Sequence, residues 1–161
     1  MIWVRDPTPR RRRKDLMLYF AYGMNTDPES MRDRCPGAIL MGPALLPGYE
    51  LAFDYHCDIR AQPRAQVEGA LWSITPECLA ALDRLEGYPG YYTRFPVTVL
   101  HRERSCEAWV YQMCGTQEQC MPGRQYLGVV ARGYRAVGLP RDQLRQALQR
   151  ARNHESTHSY P

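Results

Sequence analysis

The stretch Leu16-Met17-Leu18-Tyr19-Phe20-Ala21-Tyr22-Gly23-Met24-Asn25 decides how this chain is read. Its first seven residues are apolar or aromatic on both alternating faces, the pattern of a central strand covered on both sides. The strand runs directly into Gly23-Met24-Asn25, a turn signal. Thr26-Asp27-Pro28-Glu29 then opens a short helix with a capping side chain and a proline in the first turn. Cys35-Pro36-Gly37 ends that helix.

Further strands follow downstream. Pro47-Gly48 punctuates, and Tyr49 to Cys57, Val67 to Ile74, Tyr92 to Leu100 and Cys106 to Met113 read as strands. Pro96 demotes its strand to an edge or a bulge, because proline has no N–H for a ladder. Tyr126, Val129, Val130, Gly133, Tyr134 and Val137 recur at helical spacing as one buried stripe. Leu144, Ala147, Leu148 and Ala151 repeat the pattern after Pro140. Strands that mostly neighbour one another, with helices between and after them, predict an α+β domain rather than a doubly wound sheet. No GxGxxG and no GxxxxGK[ST] occurs, so phosphate cradles of those two types are excluded.

The chain has 161 residues, 44% hydrophobic and 24% charged, which suits one globular domain and argues against wholesale disorder. Residues 1–15 read as a basic N-terminal arm, 16–152 as the folded domain and 153–161 as a polar C-terminal tail. The net charge is +4, but the run Arg10-Arg11-Arg12-Arg13-Lys14 alone carries five positive charges. The body of the domain is therefore not basic, and a solvated arm is the expected reading over a nucleic-acid site. Apolar runs fall far short of the ~20 residues of a membrane span. No secretory h-region follows the basic run, so a cytoplasmic protein is expected. The six cysteines form no CxxC pair and the four histidines are scattered, which predicts no metal site of standard spacing. Cys35, Cys57, Cys78 and Cys106 lie among apolar neighbours and are expected to act as small core residues.

One carboxylate stands where a carboxylate is costly. Thr75-Pro76-Glu77 opens a helix, Leu79 and Leu82 mark its buried face, and Gly87 supplies the stop. Glu86 falls at i+4 from Leu82 and i+7 from Leu79, on the apolar face. It also sits in the last turn, where the helix dipole disfavours an anion. Burial and dipole both raise its pKa. Periodicity leaves two readings open: a chemically active carboxylate, or a surface glutamate paired with Arg84 or Arg94. Asp83 reads as a solvated flank.

These segments in order resemble the γ-glutamylcyclotransferase-like family. Tyr19-Phe20-Ala21-Tyr22-Gly23-Met24-Asn25 is similar to the family's Tyr-Gly-Ser-Asn loop, and Ala80-Ala81-Leu82-Asp83-Arg84-Leu85-Glu86-Gly87-Tyr88 to its helix ending in a catalytic Glu-Gly. Tyr91-Tyr92-Thr93-Arg94 resembles its aromatic strand start, and Pro122 to Tyr126 the segment before its last helices. The agreement runs from about Leu16 to Ala136. It implies a small mixed β-barrel flanked by helices, acting without a cofactor on a small γ-glutamyl substrate. The α-amine of the substrate would attack its own γ-carbonyl, releasing 5-oxoproline and an amine or amino acid.

By the same resemblance Glu86 is the catalytic acid–base, and the backbone N–H groups of Tyr22, Gly23, Met24 and Asn25 hold the substrate α-carboxylate. Gly23 would allow an unusual φ, while Tyr92 and Tyr126 would line the pocket and donate hydroxyl hydrogen bonds. The acceptor side is expected from the loops Asp58–Gln66 and Gly115–Met121. Two residues depart from the pattern: Met24 replaces a serine, and Gly123 stands where serine is frequent. A binding or interaction domain of the same fold, altered at Met24, is the alternative expectation.

Overall fold

The computed structural model describes residues 17–115 and 118–158. The N-terminal arm, with its basic run, lies outside them. Strand β1 (Met17–Ala21) pairs antiparallel with β3 (His56–Ile74), Met17 opposite Ile74 and Ala21 opposite Ala70. On its other edge β1 meets β5 (Arg104–Met113) in parallel, Tyr19 opposite Trp109. Strand β2 (Ile39–Asp54) returns along β3, and β4 (Tyr92–His101) bridges β2 and β5. The order β1-β3-β2-β4-β5 closes into a barrel, so the fold is the expected α+β barrel with helices around it.

The hairpin β2–β3 is longer than the sequence suggests. Pro47-Gly48 does not end a strand; it is a bulge inside β2, where the register shifts between Pro47 and Tyr49 and Gly48 adopts φ 83°. A bulge absorbs the residue that cannot pair and bends the strand, which a small barrel requires. Residues 58–66, expected as a loop, belong to β3: Asp58, Ile59, Arg60, Ala61 and Gln66 pair with β2, while 62–65 bulge out opposite the register shift at Gly48. Pro96 stays in register opposite Trp109. The β2 side of β4 is paired only at Leu45–Leu100, so the missing N–H falls outside that seam.

Two apolar clusters flank the sheet, and β1 contributes to both. Phe20 joins Leu46, Phe53, Ile59, Val67 and Val110 with Val130 and Tyr134 of α3 (Arg124–Val137) and Leu144, Ala147 and Ala151 of α4 (Asp142–His158). Tyr19 and Ala21 face the other way, into Met31 of α1 (Pro28–Arg34) and Cys78 and Leu82 of α2 (Pro76–Glu86). Each large side chain so buried contributes about 1.5–3 kcal/mol. The two-sided pattern of β1 thus has its cause in helices on either side.

Helix α4 continues to His158 where a polar tail was expected from Asn153. Its last turns carry polar side chains all round, and one of them, Glu155, accepts a hydrogen bond from the Met121 amide at 2.8 Å. An apolar stripe cannot mark a helical end whose contacts are polar. No described helix is long and apolar enough to cross a membrane.

Candidate active site

Helix α2 begins as its sequence dictates. The Thr75 hydroxyl accepts the Cys78 amide at 3.2 Å, Pro76 occupies the first turn, and Gly87 closes the helix in the left-handed region at φ 64°. A Cβ on Gly87 would also lie 3.1 Å from that of Tyr91. This stop fixes where the last helical residue, Glu86, ends up. Asp83, one turn earlier, is no solvated flank. It takes two hydrogen bonds from Arg94, at 2.8 and 3.1 Å, and one from the Tyr111 hydroxyl at 2.6 Å. Burial raises the Asp83 pKa, but these donors outweigh it and hold the carboxyl below the usual range. The Arg94 guanidinium is further sandwiched between the rings of Tyr88 and Trp109.

With Arg94 so engaged, Glu86 is half-buried and receives no hydrogen bond from the described residues. It faces a cavity of about 160 Å³. Burial pushes its pKa up to about 7, an effect partly offset by the Arg34 charge. The surface-pair reading of Glu86 is therefore not realised.

The opposite wall is the turn after β1. A one-turn 3-10 helix, Met24–Thr26, makes its first hydrogen bond from the Thr26 amide to the Gly23 carbonyl at 3.1 Å. The N–H groups of Gly23, Met24 and Asn25 lie upstream of that bond, where a helical turn leaves amides without intrahelical partners. Gly23 is required for space, not for φ. Its φ is −121°, but a Cβ there would come within 2.8 Å of the Cys57 Cβ. The turn is pinned from behind. Trp72 Nε1 donates to the Asn25 carbonyl at 3.0 Å, Tyr134 Oη to the Tyr22 carbonyl at 2.7 Å, and Tyr22 Oη to the Tyr111 carbonyl at 2.6 Å.

The cavity brings together all seven residues singled out from the sequence, namely Glu86, Tyr22, Gly23, Met24, Asn25, Tyr92 and Tyr126. The two tyrosines are not equivalent. Tyr92 spends its hydroxyl proton on the Cys57 carbonyl at 2.9 Å, so it can only accept from a ligand. Tyr126 instead accepts the Cys57 amide at 2.8 Å, and keeps its own proton, for which the Cys57 sulfur is an acceptor at hand. The expectation that both donate is corrected for Tyr92.

Sequence reasoning missed Tyr19, His56, Leu85, Tyr91 and Tyr111 as lining residues. Cys57 was expected only as a core residue; it is buried, yet it also lines the cavity, with burial pushing its thiol up to about 12. A thiol so protonated is a poor nucleophile. The exposed lining residues are Leu85 of α2, Tyr91 of the α2–β4 turn and His56 of the β2–β3 hairpin. Of the two loops expected on the acceptor side, residues 58–66 lie in β3, and residues 116–117 of the other lie outside the described residues. Aromatic neighbours such as Tyr91 beside Tyr92 carry a faint signal; His56 carries none, since only the hairpin's closure brings it to the cavity. No group of three or more His, Cys, Asp or Glu among the described residues is placed to hold a metal ion.

A half-buried carboxylate without a hydrogen bond among the described residues thus shares one small barrel pocket with the turn residues Gly23, Met24 and Asn25. The sequence pattern of the family described as "Gamma-glutamyl cyclotransferase, AIG2-like" matches residues 19–128, and the chain belongs to that family. It is 32% identical over 137 residues to a gamma-glutamylcyclotransferase of Bos taurus, across 76% of this chain and 72% of the bovine one. A solved structure named gamma-glutamyl cyclotransferase superposes with a TM-score of 0.73 at 25% identity, covering 88% of this chain and 89% of its own. A human protein titled uncharacterized protein loc79017 gives 0.72 at 26% identity, covering 84% and 87%.

Proposed function

We propose that this chain is a γ-glutamylcyclotransferase that needs no cofactor. The observation that carries the reading is Glu86, left without a hydrogen bond among the described residues and facing a cavity whose opposite wall presents the amides of Gly23, Met24 and Asn25. A γ-glutamyl compound fits such a wall by its α-carboxylate, held by main-chain N–H groups without a cationic side chain. Its α-ammonium then lies toward Glu86 and the lone pairs of Tyr92.

The proton and electron balance closes on one side chain. The Glu86 carboxylate takes a proton from the α-ammonium, and the freed amine attacks the γ-carbonyl carbon. The C–N bond forms as the carbonyl electrons move onto oxygen, toward which the Tyr126 hydroxyl can turn its proton from the Cys57 sulfur. Protonated Glu86 gives its proton to the leaving nitrogen, the bond to that nitrogen breaks as the carbonyl re-forms, and the Glu86 carboxylate then takes the second proton from the ring nitrogen and passes it to the departing amine, which leaves as an ammonium. The products are 5-oxoproline and a free amine or amino acid. A carboxyl with a pKa of about 7 suits both directions of transfer near neutral pH. Holding the amine against the carbonyl contributes several kcal/mol, up to roughly 7–11 in the best intramolecular cases.

The test is release of 5-oxoproline from γ-glutamyl amines, γ-glutamyl dipeptides and glutathione by the native chain and by Glu86→Gln. Release by the native chain alone supports the reading. Release by both contradicts the role of Glu86.

A further inference from the structure

Arg34, the last residue of α1, belongs to neither the sequence motif nor the lining of the cavity. Its guanidinium nevertheless reaches the site from behind. Nη1 donates to the Asn25 Oδ1, and Nη2 lies 3.8 Å from the Met24 Sδ. The Asn25 amide is thereby oriented, and its Nδ2 donates to the Tyr19 hydroxyl at 3.1 Å. That leaves the Tyr19 hydroxyl proton uncommitted on the wall that also faces Glu86.

The charged and titratable groups that share the cavity with Glu86 are Tyr19 and Tyr22 from the β1 segment, His56 and Cys57 of β3, Tyr91 and Tyr92 at the start of β4, Tyr111 of β5 and Tyr126 of α3, with Arg34 of α1 behind the wall. Burial raises Tyr19, Tyr22, Cys57, Tyr92, Tyr111 and Tyr126 and keeps them neutral. Arg34 is the one guanidinium in this set.

We propose that Arg34 is a positioning residue with two separable effects: its two-pronged contact holds Met24 and Asn25 so that their amides face the ligand, and the same contact fixes its positive charge behind the wall that Glu86 faces. The proposal rests on the reading of Glu86 as the proton carrier. Geometry and charge separate by substitution. Arg34→Lys keeps the charge but cannot span Met24 and Asn25 with a planar fork. Arg34→Met loses both while keeping length and helix propensity.

The experiment measures 5-oxoproline release against pH and substrate for the native full chain and both variants. It is paired with ¹³C NMR titration of the Glu86 carboxyl in the same proteins. The acid limb of kcat/KM in Arg34→Met is expected to move up by about half a pH unit or more, since a nearby opposite charge is withdrawn. Arg34→Lys is expected to keep the native limb, and both variants to raise KM several-fold. An unmoved limb in a folded Arg34→Met, or equal limb shifts in the two variants, overturns the charge effect. Unchanged KM in both overturns the clamp. Should Arg34→Met not fold, Arg34→Gln replaces it with the same expectations. If the native chain releases no 5-oxoproline at all, the functional reading fails by itself. The NMR titration then decides on Arg34: an upward shift in Arg34→Met supports its hold on Glu86, and no shift overturns it.

Discussion

Arg94 is committed to Asp83, three residues before Glu86 on the same helix, through paired hydrogen bonds of 2.8 and 3.1 Å. The helical offset between the two acids separates their fates. Asp83 turns toward β4 and β5 and is neutralised there, while Glu86 turns into the cavity and keeps no partner among the described side chains. Arg94→Met therefore removes a structural ion pair, not a brake on Glu86. The pair is partly exposed, so its loss is expected to cost about 1–2 kcal/mol after screening. That corresponds to a fall of roughly 2–8 °C in melting temperature for a domain of this size. The pH profile of 5-oxoproline release by the folded variant should keep its native acid limb. A limb displaced upward would mean that Arg94 acts on Glu86.

Two of the raised carboxylates, Asp58 and Glu86, carry the largest upward shifts and make stability vary with pH. Asp58 is buried, accepts the Met113 amide at 2.9 Å and is pushed by burial up to about 6, above its ordinary value of 3.8. Glu86 rises from 4.5 to about 7 for the same reason. A carboxyl whose folded pKa is raised binds its proton more tightly in the folded chain. Its contribution is fully present below pH 4 and is lost as pH climbs through 6 to 7. Asp58→Asn keeps the carbonyl acceptor and removes the desolvated charge. Urea unfolding should find the variant gaining on the native chain by about 1–3 kcal/mol between pH 4 and pH 8. A constant difference across that range would contradict the account.

Helix α3 holds the turn in place by a contact that tolerates no side chain. A Cβ on Gly133 would collide with the Thr26 hydroxyl and come within 2.6 Å of the Asp27 amide. Gly133→Ala therefore has to displace Met24–Thr26 or α3. We expect a loss of about 1–3 kcal/mol, as for other overpacked cores, with a raised KM for the γ-glutamyl substrate. Differential scanning fluorimetry and initial-rate kinetics check the two effects separately.

How much of this was legible beforehand follows from what each signal reports. β1 announced itself by being apolar on both faces, and helices do cover both. Glu86 was visible because helical periodicity puts it among leucines and Gly87 fixes the register. The ion pair of Asp83 was not visible, since Arg94 arrives from a strand whose approach depends on barrel closure. Nor was Arg34, a charged residue in the last turn of a short helix, distinguishable from a solvated one. Pro47-Gly48 misled because the same dipeptide marks a turn between strands or a bulge within one. The roles of the lining tyrosines lay in hydroxyl directions, which only the Cys57 main chain decides.

The β4–β5 turn offers a stabilisation away from the site. Arg102 and Glu103 both adopt positive φ, 49° and 63°, the two-residue turn that favours Asn-Gly. Non-glycine residues there carry a cost of about 1–2 kcal/mol each. Glu103→Gly should raise the urea midpoint by the equivalent of up to about 1 kcal/mol and leave 5-oxoproline release unchanged.

The central claim is that Glu86 carries the proton in a cyclisation releasing 5-oxoproline. Its most direct test is kcat for Glu86→Gln beside the native chain on the best γ-glutamyl substrate, with both shown to be folded. The account predicts a fall of about 10²–10⁴-fold, with KM changed little because the main-chain amides still hold the substrate. Retention of native kcat in Glu86→Gln would contradict it.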